Sequence, residues 1–535
     1  MKSLDTQGAT YWDRAPPLMA TRLDRVHRLE VPDSPPPEVR PDEVVADSYL
    51  VKDDSEVMDL VESRLSSANE VLLKGLPTNQ YPNEAYSLKN LAPKHSTKKD
   101  ENLFLQTVMT RLRRSSRSAN VTDFNSSLAA GQLLFRNLSA AMSWNQSQVP
   151  LDEEAFLDCI LEAQEARVSS KPLPALLRSD SRSDPNWLRN YFQAFVKSQQ
   201  KVSKTAPYAG QVLAEMSDES MFLYNPMARY ILRMILKDKP ATMFLAAKST
   251  TRDMDNFCKD NWTDQYSHES DAKAFDQSQR GEALQLEQLV MWHYSMPPYL
   301  IDMYLEDKVS YRCQLYTIAT QRLTGEAFTW LFNTLFNIAY TYTRYDVRPD
   351  DPQAYGGDDQ VVNRLIDEKP TWAKHKRMFC IEVKTVQTER PSFCSYRFTA
   401  NGAFKLPENV LLKALILSEE HKTTSRQANA VGLLQEILPT YFAGDVAYAY
   451  MTAAEQAQLR QAALTTKQIV GRYWWYRSVA KLKTSGTESF REYIQGLPPT
   501  KAGRAAARAA TQLYGHDDPK TLYRILRALR PDLGV

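Results

Sequence analysis

The run Ala354-Tyr355-Gly356-Gly357-Asp358-Asp359-Gln360-Val361-Val362-Asn363 constrains this chain more than any other feature. Two glycines interrupt the chain, two carboxylates follow, and Val361-Val362 resumes a strand pattern. That order predicts a hairpin tip between two β-strands, although the residues ahead of the glycines are only weakly strand-like. Adjacent carboxylates at such a tip can hold negative charge where two divalent cations and a triphosphate meet. A Gly-Asp pair is also the ordinary composition of a solvated turn, so other residues must decide between the two.

The length of 535 residues fits roughly three or four domain-sized units. Apolar content of 43% and charged content of 24% are those of a soluble globular protein. Net charge is +2, which neither demands nor excludes nucleic acid. Its distribution says more: residues 451–535 carry 14 Lys/Arg against 6 Asp/Glu, a difference of +8. That segment suits a phosphate backbone or, equally, a solvated helical face. Cys159, Cys258, Cys313, Cys380 and Cys394 are scattered and form no CxxC pair, so neither a zinc site nor a disulfide framework is expected. No apolar run of 18 residues and no signal-peptide pattern at Met1 occur, so membrane association is expected to be peripheral or through a partner.

Prolines at 16–17, 32, 35–37 and 41 predict an extended arm over residues 1–54. Helical patterns follow over Ser55–Leu73 and Asp152–Arg167, with basic stretches around Lys94–Lys99 and Arg111–Arg117. Residues 186–247 are basic and aromatic-rich. From Ser267 to Thr399 short strand-like pieces alternate with amphipathic helices; beyond Leu406 the pattern is mostly helical, with Tyr473-Trp474-Trp475-Tyr476 inside it. The architecture read from this is α+β, a small strand-bearing centre between larger helical parts.

Two further constellations bear on the tip. In Asp271-Ala272-Lys273-Ala274-Phe275-Asp276-Gln277-Ser278-Gln279, Asp271 sits at a predicted strand end, ahead of a helix expected over Gly281–Tyr294. Carboxylates converging from separate strands are what two-metal phosphoryl transfer needs. The bland alternative makes Asp276 a helix N-cap and Asp271 a turn residue. In Arg322 to Asn337, Thr324-Gly325 reads as a loop before a helix on which Thr329, Asn333 and Asn337 share one face. Polar residues on one face of an apolar, aromatic helix need partners. A ribose hydroxyl and hydrogen bonds within the helix are both candidates.

Together these residues resemble viral RNA-dependent RNA polymerases of the alphavirus-like supergroup, most closely the flexivirus- and tymovirus-like replicases. Asp271–Gln279 resembles the first palm motif, Thr324-Gly325 through Thr329 and Asn333 the second, and Gly357-Asp358-Asp359 the third, in the right order. Lys197-Ser198-Gln199, Lys201, Lys204 and Ala209-Gly210-Gln211 resemble the finger motif over the incoming triphosphate, and Arg229-Tyr230 the segment after it. Phe393-Cys394-Ser395-Tyr396 resembles the primer grip, opening a hairpin whose Asn401-Gly402 is a type I′ turn signal. The resemblance spans about residues 75–410. One departure is Gln360, where most relatives have Ser; activity is expected to survive it, with metal preference or fidelity altered.

The resemblance implies a right-hand polymerase with an antiparallel palm sheet and mostly helical fingers and thumb. Its parts would be the arm (1–54), an N-terminal extension and fingers (55–265), a palm (266–405, with a finger insertion near 296–318) and a basic helical thumb (406–535). It implies RNA synthesis from ribonucleoside triphosphates on an RNA template, replicating and transcribing a positive-strand viral genome. Asp271, Asp358 and Asp359 would ligate two Mg2+ ions, or Mn2+ in their place. Asp276, Thr329 and Asn333 would read the ribose, with Gly325 in the same loop. Lys197, Lys201 and Lys204 would neutralise the triphosphate, and Lys384 would protonate the leaving pyrophosphate; a plain surface lysine is the alternative for Lys384. Capping and helicase domains of a viral replicase are the expected partners, and the host cytoplasm, peripheral to membrane-bound replication complexes, the expected location. Two rivals share the palm: a degenerate, non-catalytic RNA-binding scaffold, and a reverse transcriptase, against which Asn333 with Asp276 argues.

Overall fold

The computed structural model describes residues 101–170, 189–197, 210–418 and 445–470, together with Leu433, Arg504 and 531–533. The arm, Ser55–Leu73, Lys201, Lys204 and Tyr473–Tyr476 lie outside the described residues. The described chain falls into two compact units, each discontinuous in sequence: one from residues up to 245 and 268–387, the other from 246–267 and 388 onward.

The first unit is built from α1 (Glu101–Arg111), α2 (Arg117–Ser126), α3 (Leu128–Ala141), α4 (Glu153–Ser170), β1 (Phe192–Val196), β2 (Val212–Met216), α5 (Asp218–Asp238), β3 (Met243–Leu245), β4 (Ser267–Lys273), α6 (Gly281–His293), α7 (Pro298–Val309), α8 (Thr329–Arg344), β5 (Gln353–Gly356), β6 (Asp359–Val362) and β7 (Glu382–Thr388). Local chemistry sets these bounds. The Ser217 hydroxyl accepts from the Ser220 amide and starts α5, with Asp218 and Glu219 in its first turn and Lys237 in its last, so both ends suit the helix dipole. Pro298 opens α7, where a missing amide proton costs nothing.

Strands β3-β5-β6-β4-β7 form one sheet. β5 and β6 pair antiparallel with Gly356 opposite Asp359, which confirms the hairpin and leaves a two-residue tip, Gly357-Asp358. Gly357 has φ +68 and Asp358 does not share it. Positive φ at the first tip position alone is the type II′ pattern, where glycine is favoured. β4 runs antiparallel to β6, with Ser270 opposite Gln360. One pairing departs from the antiparallel expectation: β3 runs parallel to β5. The long excursion from Leu245 to Gln353 contains the helices that a parallel return requires. β1 and β2 form a separate antiparallel ribbon.

The main core fills the space among α3, α5, α6 and α8, with Phe124, Leu134, Tyr230, Val290, Leu335 and Tyr355 at or near zero exposure. A smaller core joins α1 to the β1–β2 ribbon through Val108, Phe192, Tyr311 and Ile318. α6 and α8 are buried on nearly every face, so their polar residues must find partners inside the protein.

In the second unit, the helix Thr251–Asn261 is held by a capping box in which Thr250 and Asp253 bond each other's backbone amides. It packs beside the antiparallel strands β8 (Ser392–Phe393), β9 (Tyr396–Thr399) and β10 (Gly402–Lys405). Two helices, α9 (Pro407–Ser418) and α10 (Ala453–Val470), bury Val410, Ala414, Leu459 and Ala462 between them. The type I′ turn expected at Asn401-Gly402 is elsewhere. Thr399 pairs with Gly402, so that loop is Ala400-Asn401, and only Gly402 has positive φ. The I′ geometry belongs to Cys394 (φ 50) and Ser395 (φ 64), which join β8 to β9. Neither residue type favours the left-handed region, which hides this turn from sequence reasoning.

Candidate active site

The sheet brings the acidic residues to one end. Asp271 follows Ser270, the last residue of β4 paired with β6, and so stands beside the Asp359 end of β6. Solvent reaches Asp271, Asp358 and Asp359, while Asp276 is half-buried. The Asp358 carboxyl is held above the usual carboxylate range, first by loss of surrounding water, then by the charge of Asp359, and further by Asp276 and Asp271. Asp271, Asp276 and Asp359 thus all lie near enough to act on Asp358. Asp276 is not the N-cap of the short helix Phe275–Ser278; that position is Ala274, in the left-handed region at φ 50.

Helix α8 is the seat of the hairpin tip. The Asn337 amide donates to the carbonyls of Gly357 at 3.1 Å, Asp358 at 3.0 Å and Asp359 at 3.4 Å. The Gly357 amide donates to Thr334 Oγ1 at 2.9 Å. One turn further, Thr341 Oγ1 donates to Gln360 Oε1 at 3.2 Å, and the Ser270 hydroxyl donates to the same oxygen. Gln360 is 3% exposed and thus ties β6 to both β4 and α8 directly beneath the tip. Its Nε2 has no partner among the described residues.

The other face of the site is the loop ahead of α8. Asn333 Nδ2 donates to Asp276 Oδ1 at 2.9 Å, and Thr324 Oγ1 donates to Asp276 Oδ2 at 2.9 Å. The Thr329 hydroxyl is turned back into the loop, donating to the carbonyls of Leu323 and, at 3.0 Å, Glu326. Gly325 has φ +121, and a Cβ there would lie 2.2 Å from the Ala214 carbonyl oxygen. Only glycine permits both this conformation and so close an approach to β2. The Ala214 amide also donates to the Thr324 carbonyl at 2.8 Å.

Buried ions anchor this loop. Arg322, Glu287, Glu326 and Lys308 have side chains no more than 2% exposed. Arg322 pairs with Glu287 and, at 2.7 Å, with Glu326; Lys308 meets Glu326 at 3.0 Å. Burial pushes Glu326 up, but Lys308 and Arg322 outweigh it and hold its carboxyl below the usual range. Removing one partner of such a set costs about 3–5 kcal/mol, because the remaining charge stays buried.

Of the basic residues, Lys197 closes the β1 end of the ribbon, its amide bonded to the Gln211 carbonyl at 2.8 Å. Lys384 is exposed on β7, the strand next to β4. Sequence reasoning left Thr334, Thr341, Gln279 and Arg322 without roles. The four-residue spacing Asn333-Asn337-Thr341 on one helix face was the signal for part of this set.

Among the described residues no three His, Cys, Asp or Glu side chains form a ready metal cage. Asp271, Asp358 and Asp359 are solvent-reached oxygen donors, a donor set that fits a hard divalent cation.

Residues 102–401 match the family described as RNA dependent RNA polymerase. The RNA replication protein of Strawberry mild yellow edge-associated virus is 28% identical over 471 residues, covering 84% of this chain and 35% of that protein. That of Botrytis virus F is 32% identical over 59% of this chain and 17% of its own length. That of Potato virus X is 31% identical over 58% of this chain and 22% of its own length. The chain spans about a third or less of these relatives. With the family match extending over more than half of its residues, and the acidic hairpin, Asp271 and the Thr324–Asn333 segment all inside that match, the chain belongs to the viral RNA-dependent RNA polymerase family.

Proposed function

We propose that this chain is the polymerase segment of a positive-strand RNA virus replication protein, joining ribonucleoside monophosphates to an RNA 3′-hydroxyl and releasing pyrophosphate. The observation that carries this is the placement of Asp271 on β4 beside the Asp358-Asp359 tip of the β5–β6 hairpin, at one end of the five-stranded sheet, with Asn333 bonded to Asp276. In this reading that sheet is the palm, the β1–β2 ribbon belongs to the fingers, and α9 and α10 belong to the thumb.

Asp271 and Asp358, assisted by Asp359, would hold two Mg2+ ions. When bound, such ions lower the pKa of the attacking hydroxyl and stabilise charge on the leaving group. The chain's own residues supply the rest. Asn337 and Thr334 keep the tip carbonyls and amide fixed, so Asp358 meets its ligand without rearranging. Asp276 and Asn333 would read the ribose 2′-hydroxyl, which tells RNA precursors from DNA precursors. Thr329 would serve by holding the Leu323–Glu326 loop in place, given where its hydroxyl points. Lys197, with Lys201 and Lys204, would neutralise the triphosphate as point charges. Lys384 would donate a proton to pyrophosphate.

The relatives' greater length favours capping and helicase domains as partners of the same replicase. No helix among the described residues is long and apolar enough to cross a membrane. In this reading, attachment to membrane-bound replication complexes in the host cytoplasm runs through partners or surface contacts. The test is extension of a primed RNA template by purified protein with ribonucleotides and Mg2+. Template-dependent ribonucleotide addition by the wild type, lost in Asp358→Asn, is expected. Mg2+-independent RNA binding with no incorporation would overturn the assignment in favour of a scaffold.

A further inference from the structure

The buried ions and the pair assigned to the ribose are joined by an unbroken chain of side-chain hydrogen bonds. Arg322 Nη2 donates to Gln279 Oε1 at 3.4 Å. Gln279 Nε2 donates to Asn333 Oδ1 at 2.6 Å. Asn333 Nδ2 donates to Asp276 Oδ1 at 2.9 Å. Arg322 is itself held by Glu287 and Glu326, and its backbone amide donates to the Asp276 carbonyl at 3.0 Å. Gln279 is 1% exposed, Arg322 2% and Asn333 8%, so these links are shielded from bulk water.

The two ends of this chain are chemically one-way. A guanidinium has donors and no acceptor; an ionised carboxylate has acceptors and no donor. Between them lie two amides, each with an oxygen at one corner and an NH2 at the other. Arg322 can meet Gln279 only through its oxygen, which turns the Gln279 NH2 toward Asn333. That NH2 can meet Asn333 only through its oxygen, which turns the Asn333 NH2 toward Asp276. One orientation of each amide satisfies every link, and the opposite orientation of either breaks two.

We propose that Gln279 is a positioning residue for sugar selection, transmitting the fixed polarity of Arg322 to Asn333 so that an amide donor faces Asp276 and the ribose. The inference rests on Asp276 and Asn333 reading the 2′-hydroxyl. With this polarity, that hydroxyl meets the second amide hydrogen of Asn333 and the free lone pairs of Asp276. With the reverse polarity, the Asn333 oxygen faces a carboxylate, and the pair separates.

The experiment uses the full chain on a primed RNA template with Mg2+. It measures kcat/KM for a ribonucleoside and a deoxyribonucleoside triphosphate of the same base. Gln279→Glu keeps length and shape but removes the donor, so Asn333 must turn over to satisfy it. The ribo-to-deoxy ratio is expected to fall by about tenfold or more, the effect of one hydrogen bond to a charged group. Gln279→Met repeats the test without an added charge and is expected to lower the ratio in the same direction. A merely structural defect lowers both sugars in proportion; an unchanged ratio in both variants overturns the proposal. Asn333→Ala separates the two levels of the reading. If it lowers the ratio while the Gln279 variants do not, the relay is wrong and ribose reading stands. If none of the three changes it, ribose reading by this pair is wrong and the relay falls with it.

Discussion

Asn337→Ala removes the seat of the acidic tip while touching no carboxylate. The Asn337 amide serves the carbonyls of Gly357, Asp358 and Asp359 at 3.1, 3.0 and 3.4 Å, and the residue is 5% exposed. Alanine removes this shared donor from the tip, at a cost of about 1–3 kcal/mol. Thr334 Oγ1 still accepts from the Gly357 amide, so the tip retains one anchor. At about 1.4 kcal/mol per tenfold, the seated arrangement becomes about 5- to 150-fold less favoured. Ions that bind the seated tip draw it back, so added metal compensates for the lost anchor. Initial rates of primer extension against Mg2+ concentration, at saturating nucleotide, report this. The half-saturating Mg2+ concentration is expected to rise about tenfold, with the maximal rate recovering to within about threefold of wild type. Wild-type rate and metal dependence would show that the tip needs no seat. A rate that fails to recover at any Mg2+ concentration would show that Asn337 does something other than position the tip.

Gly325→Ala places a methyl 2.2 Å from the Ala214 carbonyl oxygen at a backbone φ of +121. A cost of about 2–4 kcal/mol and displacement of the Thr324 loop are expected, read as a lower thermal midpoint and a raised KM for nucleotide; wild-type kinetics would contradict this. Gln360→Ser is too short to hold both Ser270 and Thr341, at a cost of about 1–2 kcal/mol. Synthesis should persist with the Mn2+-to-Mg2+ rate ratio raised, and an unchanged ratio would contradict the clamp. Glu282 is pushed up from 4.5 to about 7, first by burial and also by the Asp123 charge. Between those values the folded protein holds a proton the unfolded chain has released, so its contribution to stability falls as pH rises and levels off above about 7. Relative to wild type, Glu282→Gln should therefore gain about 2–3 kcal/mol of stability between pH 5 and pH 8 in denaturant titrations, and a constant difference across that range would refute the linkage.

The acidic hairpin was legible because glycine, paired carboxylates and a following Val-Val run are all local signals, and local pairing of β5 with β6 obeys them. The strand position of Asp271 and the helix after Gly281 were legible for the same reason. The stripe on α8 was half legible: spacing placed Asn333 and Asn337 on one face, but spacing does not say that one serves Asp276 and the other the tip. Glu287, Lys308, Arg322 and Glu326 were not legible, because a charged residue in sequence reads as surface, and only tertiary packing brings four of them together out of water. The parallel pairing of β3 with β5 depends on a return more than a hundred residues later, beyond any local signal. The Cys394-Ser395 turn runs against residue preference, so propensity pointed to the neighbouring Asn401-Gly402 instead.

The central claim is that Asp271, Asp358 and Asp359 together form a site for two ions. Counting bound Mn2+ by electron paramagnetic resonance, on the full chain with primed RNA and a non-hydrolysable ribonucleoside triphosphate, tests it directly. Asp358→Asn is expected to bind fewer ions than the wild type, which holds about two. An equal count in the two proteins would contradict it.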